Sequence, residues 1–345
     1  MLHIPIAALI VVLLMSLSAT AGENNPPASV APLLRPAEAS LWLLPAVQYP
    51  ASDPFSETKK ELGRRLFFDP RLSGNPSKTC ATCHHPGLGW ADGMARAMAN
   101  QQGLGRHTPS LLNAAYEHAF FWDGRAASLE DAVSQDLLSP GMLSGETARN
   151  IVVRIAAISA YRQAFNEAFA SEGVSFERIT AALATFVRSI ISAPSPFDHW
   201  LQGDGKAISV SAKRGFALFR GKAECIRCHS GPVFTDSSFH NTGINTVDPG
   251  HYEISGKNED RNAFKTPGLR DIAITPPYMH NGSKKTLSNV IDFYDRGGDT
   301  LGSGNQLHAL HLTDGEKKDL LAFLFSLSGE NRETRVPALP VALNP

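Results

Sequence analysis

Cysteine is scarce: the chain has four in 345 residues, confined to Cys80-Ala81-Thr82-Cys83-His84 and Cys225-Ile226-Arg227-Cys228-His229. No thiol is left over, so the chain has no disulfide framework to build on. A surplus of charge is also missing, with 32 Lys and Arg against 33 Asp and Glu, a formal charge of -1 and no long basic run. That makes nucleic acid a poor partner and a charged membrane surface no better. The apolar run from Ile4 to Leu17 is too short to span a bilayer comfortably. Ala19-Thr20-Ala21 follows it, the pattern of a secretory signal cleaved after Ala21, although no Lys or Arg precedes the run. The reading is a signal peptide over 1–21 and no membrane span after its removal, with an uncleaved anchor as the alternative.

Both cysteine-bearing stretches read C-x-x-C-H, the pattern that attaches c-type heme. Two nearby thiols form thioethers to the vinyl groups and the adjacent imidazole binds the iron from one side. Zinc ligation and a thiol redox pair are the competing readings. A redox pair does not require the following His, and zinc sites built from two such pairs usually have them much closer in sequence. Covalent heme attachment in bacteria takes place outside the cytoplasmic membrane. The motifs therefore agree with the export signal, and the expected location is the periplasm.

A Pro-, Ala- and Asn-rich leader is expected over 22–51, docking late through Leu41, Trp42 and Leu43. Ser56 then caps a helix through Phe67 that Asp69-Pro70 stops. Ser211 is read as opening a second such helix, ended by Gly221. Both carry Gly-x-x-Leu-Phe, at Gly63 to Phe67 and at Gly215 to Phe219, and each precedes a heme motif. The repeated layout predicts a mainly α fold of two cytochrome c-like modules, over 52–196 and 197–345, with hemes facing across an interface. Each module should close with a helix packed across its first, Phe176 to Ser192 in one and Thr313 to Ser328 in the other. Pro194, Ser195 and Pro196 mark the boundary. The loop-rich insertion from Gly87 to Ser144 must cover a heme face, which a small electron carrier would not need.

With these motifs in view, the chain resembles the bacterial di-heme cytochrome c peroxidase family, and within it the MauG-like branch, from about Pro54 to Leu327. The likeness rests on Leu62-Gly63-Arg64-Arg65-Leu66-Phe67-Phe68, Thr108 to Ala115, Phe121-Trp122-Asp123-Gly124-Arg125, Phe239-His240-Asn241, Phe264-Lys265-Thr266-Pro267, Leu269-Arg270-Asp271 and Thr275 to Gly282, in that order. The resemblance implies that the heme on His84 meets hydrogen peroxide, that the heme on His229 stores an oxidising equivalent, and that Trp122 relays electrons between them. It also implies a calcium ion held partly by backbone oxygens of Thr275 and Pro277. The sixth ligand of the second heme is a methionine in one branch and a tyrosine in the MauG-like one, and here Tyr294 falls at that position, with Met279 as the alternative ligand. A phenolate favours ferric and higher iron, whereas a thioether favours ferrous iron.

Two departures stand out. His107 replaces an Asn that helps bind the calcium, and Met142 replaces the family's distal glutamate, with Ala132 and Asp136 in place of the usual Gln and Pro. Peroxide cleavage needs a proton moved between its oxygens, so Glu146, Asp136, His107 or water must substitute. His85, His240 and His280 are read as facing solvent, propionates or the linker between modules. The function expected is a heme-dependent peroxidase that oxidises a partner protein through Trp122. A small cytochrome c or copper protein as donor would make it a detoxifying peroxidase; an aromatic residue of a maturation target would make it MauG-like, the reading that Tyr294 and the lost glutamate favour. A non-catalytic di-heme electron carrier is the alternative of another class.

Overall fold

The computed structural model describes residues 36–75, 77–97, 105–140, 143, 145–170, 173–300, 304–330 and 335–340. The signal-like segment, the first part of the leader and Met142 lie outside the described residues. Among the described residues twelve helices follow in order: α1 (Pro36–Ser40), α2 (Glu57–Phe68), α3 (Cys80–Cys83), α4 (Leu129–Leu138), α5 (Ala148–Ala156), α6 (Ser159–Phe169), α7 (Phe176–Arg188), α8 (Pro196–Leu201), α9 (Val210–Arg220), α10 (Tyr252–Ser255), α11 (Leu287–Asp295) and α12 (Asp314–Ser326). The strands among the described residues are two residues long: β1 (Phe239–His240) pairs antiparallel with β2 (Phe264–Lys265). The mainly α expectation is met.

Two hydrophobic cores form on either side of Pro194. The first gathers residues from Leu62 to Ile190, and the second gathers residues from Phe197 to Leu327 together with Trp42. Trp42 packs edge-on to Phe216, with ring centroids 5.3 Å apart, and against Phe234 at 5.1 Å. Of the three leader residues expected to dock, it alone is buried; Leu41 is exposed. The leader thus joins the core that is distant in sequence, held there by Arg270, which donates to the Trp42 carbonyl (2.7 Å) and bidentately to buried Asp198 (2.8 and 2.9 Å).

Each core is built on one helix crossing. In the first, α2 crosses α7; in the second, α9 crosses α12. The two motif glycines make both crossings close: a Cβ added to Gly63 would lie 1.9 Å from the Ala182 carbonyl oxygen, and one added to Gly215 would lie 1.9 Å from that of Asp319. Only glycine permits backbones to approach so nearly. Leu and Phe three and four residues later turn onto the inner side of the same helix, with Phe67 and Phe219 buried.

The caps follow sequence expectation at Ser56, whose side chain accepts from the Lys59 amide, and at Thr313, which forms a capping box with Glu316. The start of α9 differs from expectation. Ser209, not Ser211, accepts from the Ala212 amide and opens the helix. Ser211 lies inside it and donates to Asp319 of α12 at 2.5 Å, so its hydroxyl joins the crossing instead of the helix end. Helix α7 stops at Arg188, short of Ser192, although the Ser189 and Ile190 amides still bond Phe186 and Val187 in tighter turns.

Candidate heme sites and the aromatic bridge

The two C-x-x-C-H stretches adopt the same local chemistry. Cys80 to Cys83 make a single helical turn and Cys225 to Arg227 a tighter one, so each histidine leaves its turn at the C-terminal end. His84 Nδ1 lies 3.1 Å from the carbonyl oxygen of Trp90, and His229 Nδ1 lies 2.9 Å from that of Phe234. Burial lowers the pKa of both imidazoles. A neutral ring that donates from Nδ1 keeps its lone pair on Nε2, the tautomer an iron ligand needs. Both rings line one largely apolar cavity of about 810 Å³, with Leu129, Leu183 and Val187 from the first core and Leu287, Ile291 and Leu324 from the second.

The thiols argue against the redox reading. Burial pushes the pKa of Cys80 and of Cys225 up to about 12, which disfavours the thiolate that disulfide exchange uses. Cys228, Asp236 and His240 do lie within 4.8 Å of one another. Both ring nitrogens of His240 are engaged, however, by Asp236 and by Gln306, each at 2.7 Å. An apolar chamber lined by two paired-cysteine turns, each followed by its imidazole, suits two hemes.

Trp122 lines the same cavity. Its indole N–H donates to the His107 carbonyl (2.8 Å) and its own carbonyl accepts from the Lys265 amide of β2 (2.9 Å). Its ring meets His280 edge-on at 6.4 Å, and His280 stacks on Phe264 at 3.5 Å. The loop carrying Trp122 comes from the first half of the chain, yet the second half grips it. His251 Nδ1 is 2.7 Å from the Asp123 carbonyl, and Arg106 spans Asp123 (2.5 Å) and Asp248 (2.6 Å). Gly124 has φ +73°, and a Cβ there would strike the Phe239 ring at 2.2 Å. The Phe-His-Asn and Phe-Lys-Thr-Pro markers thus have a physical role, because they form the ribbon that holds the tryptophan loop. Arg106 and His251 carried no sequence signal, because neither belongs to a chemical motif and their partners on the other half are more than a hundred residues away in sequence.

Tyr294 and Met279 both line the cavity. Burial raises the Tyr294 phenol, with the Cys225 and Cys228 thiols adding to the effect. Asp136 lines the cavity as well, whereas Glu146 does not; its carboxylate is paired with Arg154 at 2.5 Å. His107 lies beside Trp122, its Nδ1 2.6 Å from the Met94 carbonyl and its amide donating to the His280 carbonyl at 2.6 Å. It orients the insertion, and burial lowers its pKa. His85 is exposed and accepts from the Gly87 amide in a local turn. Thr275 and Pro277 line the cavity. Calcium takes roughly six to eight oxygen ligands. Here Asp123 and Asp248 are taken by Arg106 and His107 offers nitrogen, so a calcium ion would rest on backbone oxygens such as those of Thr275 and Pro277 and on water, not on carboxylates.

Residues 57–206 match the family model described as di-haem cytochrome c peroxidase. The chain is 42 % identical to the methylamine utilization protein MauG of Methylorubrum extorquens over 86 % of its own length and 85 % of that protein's. It is 33 % identical to the cytochrome c551 peroxidase of Nitrosomonas europaea, covering 85 % and 87 % of the two chains. The chain belongs to the di-heme cytochrome c peroxidase family. A solved MauG-like protein associated with microbial copper homeostasis has the same architecture, with a TM-score of 0.76 and 34 % identity over 83 % of this chain and 94 % of that one. This peroxidase-family member is accordingly a heme-dependent oxidoreductase.

Proposed function

We propose that this protein is a periplasmic peroxidase with two covalently attached c-type hemes, on Cys80, Cys83 and His84 and on Cys225, Cys228 and His229, and that it uses hydrogen peroxide to oxidise a partner protein. Bound heme supplies the redox chemistry, taking peroxide at an open position and storing oxidising equivalents. The chain's own residues do the rest. His84 and His229 present neutral Nε2 atoms, fixed in direction by the Trp90 and Phe234 carbonyls. Trp122 lines the cavity that both motifs share, and its hydrogen bond to the His107 carbonyl together with the grip of β2 on its backbone fixes the ring.

The observation that supports this reading most is that both motifs and Trp122 line one cavity. Oxidation of a residue on a partner protein, the MauG-like form, is favoured by Tyr294, since an oxygen donor from a phenol suits oxidised iron. Substituting Trp122→Phe tests the relay. Both heme spectra should survive, while electron removal from the partner slows about tenfold or more, a barrier increase of roughly 1.4 kcal/mol. Unchanged turnover removes the relay.

A further inference from the structure

Among the described residues, the first half of the cavity contains one acid with no hydrogen-bond partner on a buried oxygen. Asp136 lies on α4, two turns after its Ser128 cap, with Ala132 one turn before it and Leu137 and Leu143 beside it in the cavity wall. Its Oδ1 has lost contact with solvent and accepts no hydrogen bond. A buried, unsatisfied carboxyl oxygen costs about 1–3 kcal/mol, so a purely structural role gives no reason for it to be there. The groups that act on it electrically are few. Arg125, whose guanidinium is stacked on Phe121 and bonded to Asp123, favours the ionised form, and the Cys80 thiol is its titratable neighbour. Burial outweighs Arg125 and pushes the Asp136 carboxyl up to about 7, a value at which it gives and takes protons with equal ease near neutrality. Glu146, the other acid within reach along the chain, is neutralised by Arg154 outside the cavity.

We propose that Asp136 is the proton-transfer group of the His84 half of the cavity, working from one turn of α4 where other acids of the segment are turned away. The inference rests on the peroxidase reading. The carboxylate takes a proton from one oxygen of hydrogen peroxide and delivers it to the other. The O–O bond then breaks with its electron pair leaving on the oxygen that becomes water, and Asp136 ends as it began. Two electrons from the partner protein and two further protons reduce the remaining oxygen to a second water.

Asp136→Asn in the heme-loaded, full-length protein tests this with three readouts. The rate of reaction with hydrogen peroxide should fall about 100-fold or more, the usual worth of a positioned proton-transfer group. An infrared carboxylic-acid band that titrates near neutrality in the wild type should be missing. Thermal stability should stay the same or rise, because the amide carries no charge to desolvate. Asp136→Glu, which keeps the acid, should recover part of the rate. A variant that reacts at the wild-type rate, or one that loses rate and stability together without rescue by Glu, overturns the proposal. A wild-type protein inert toward peroxide removes the proposed function, and this inference with it; a reactive wild type with an equally reactive Asp136→Asn variant removes this inference alone.

Discussion

Tyr294 is the side chain whose chemistry most separates the readings of the second heme. Its phenol is buried among apolar residues and the Cys225 and Cys228 thiols, and that environment raises its pKa, so only a nearby ferric ion gives it a reason to ionise. Tyr294→Phe should therefore alter the absorption and EPR spectrum of the His229 heme and leave that of the His84 heme unchanged. An unaltered spectrum assigns the position to Met279, which shares the cavity. The heme-bearing residues were legible because they are contiguous: a five-residue pattern names the cysteines and the histidine at once. The proton-transfer residue was not. Asp136 and Glu146 look alike in the sequence, and what separates them is Arg154, eight residues beyond Glu146 on α5, which neutralises one acid while the other faces the cavity.

Among the helices, the two crossings repeat each other closely enough that the same substitution should have the same effect in both. Gly63→Ala places a methyl group against a backbone carbonyl of α7, and Gly215→Ala does so against α12. Backbone cannot swing aside as a side chain can, so each should cost about 3 kcal/mol or more, the upper part of the usual range for overpacking. Calorimetry with optical heme counting checks this; a variant that melts with the wild type would mean that the helices slide apart freely. The crossing helices were legible from periodicity and caps, since an apolar stripe and a Ser or Thr before it act locally. The exact start of α9 was not, because Ser209 and Ser211 both qualify as caps by sequence and tertiary bonding of Ser211 to Asp319 decides between them.

Taken together, the two halves are joined by contacts that no local pattern announces: the tryptophan loop held by β2 and Arg106, and the leader held by Arg270. The buried Asp198–Arg270 pair should matter most for assembly. Asp198→Ala leaves a guanidinium buried without its counter-charge and should cost about 3–5 kcal/mol. Burial works against ionisation of Asp198, but the hydrogen bonds and charge of Arg270 outweigh it and hold the carboxyl below its ordinary value. Its stabilisation is then fully present above the usual carboxylate range, near pH 4, and is lost as pH falls through the lowered folded-state value. The melting temperature of Asp198→Asn should consequently fall less steeply than that of the wild type below about pH 4, and parallel curves would exclude the linkage. In the proposed function, two hemes in one cavity share the oxidising power of a single peroxide. Optical and EPR spectra of the purified protein before and after one equivalent of hydrogen peroxide test it most directly. Two hemes are expected, one high-spin with an open position and one low-spin, whose ferric signals fall together; two saturated low-spin hemes that ignore peroxide would contradict the proposed function.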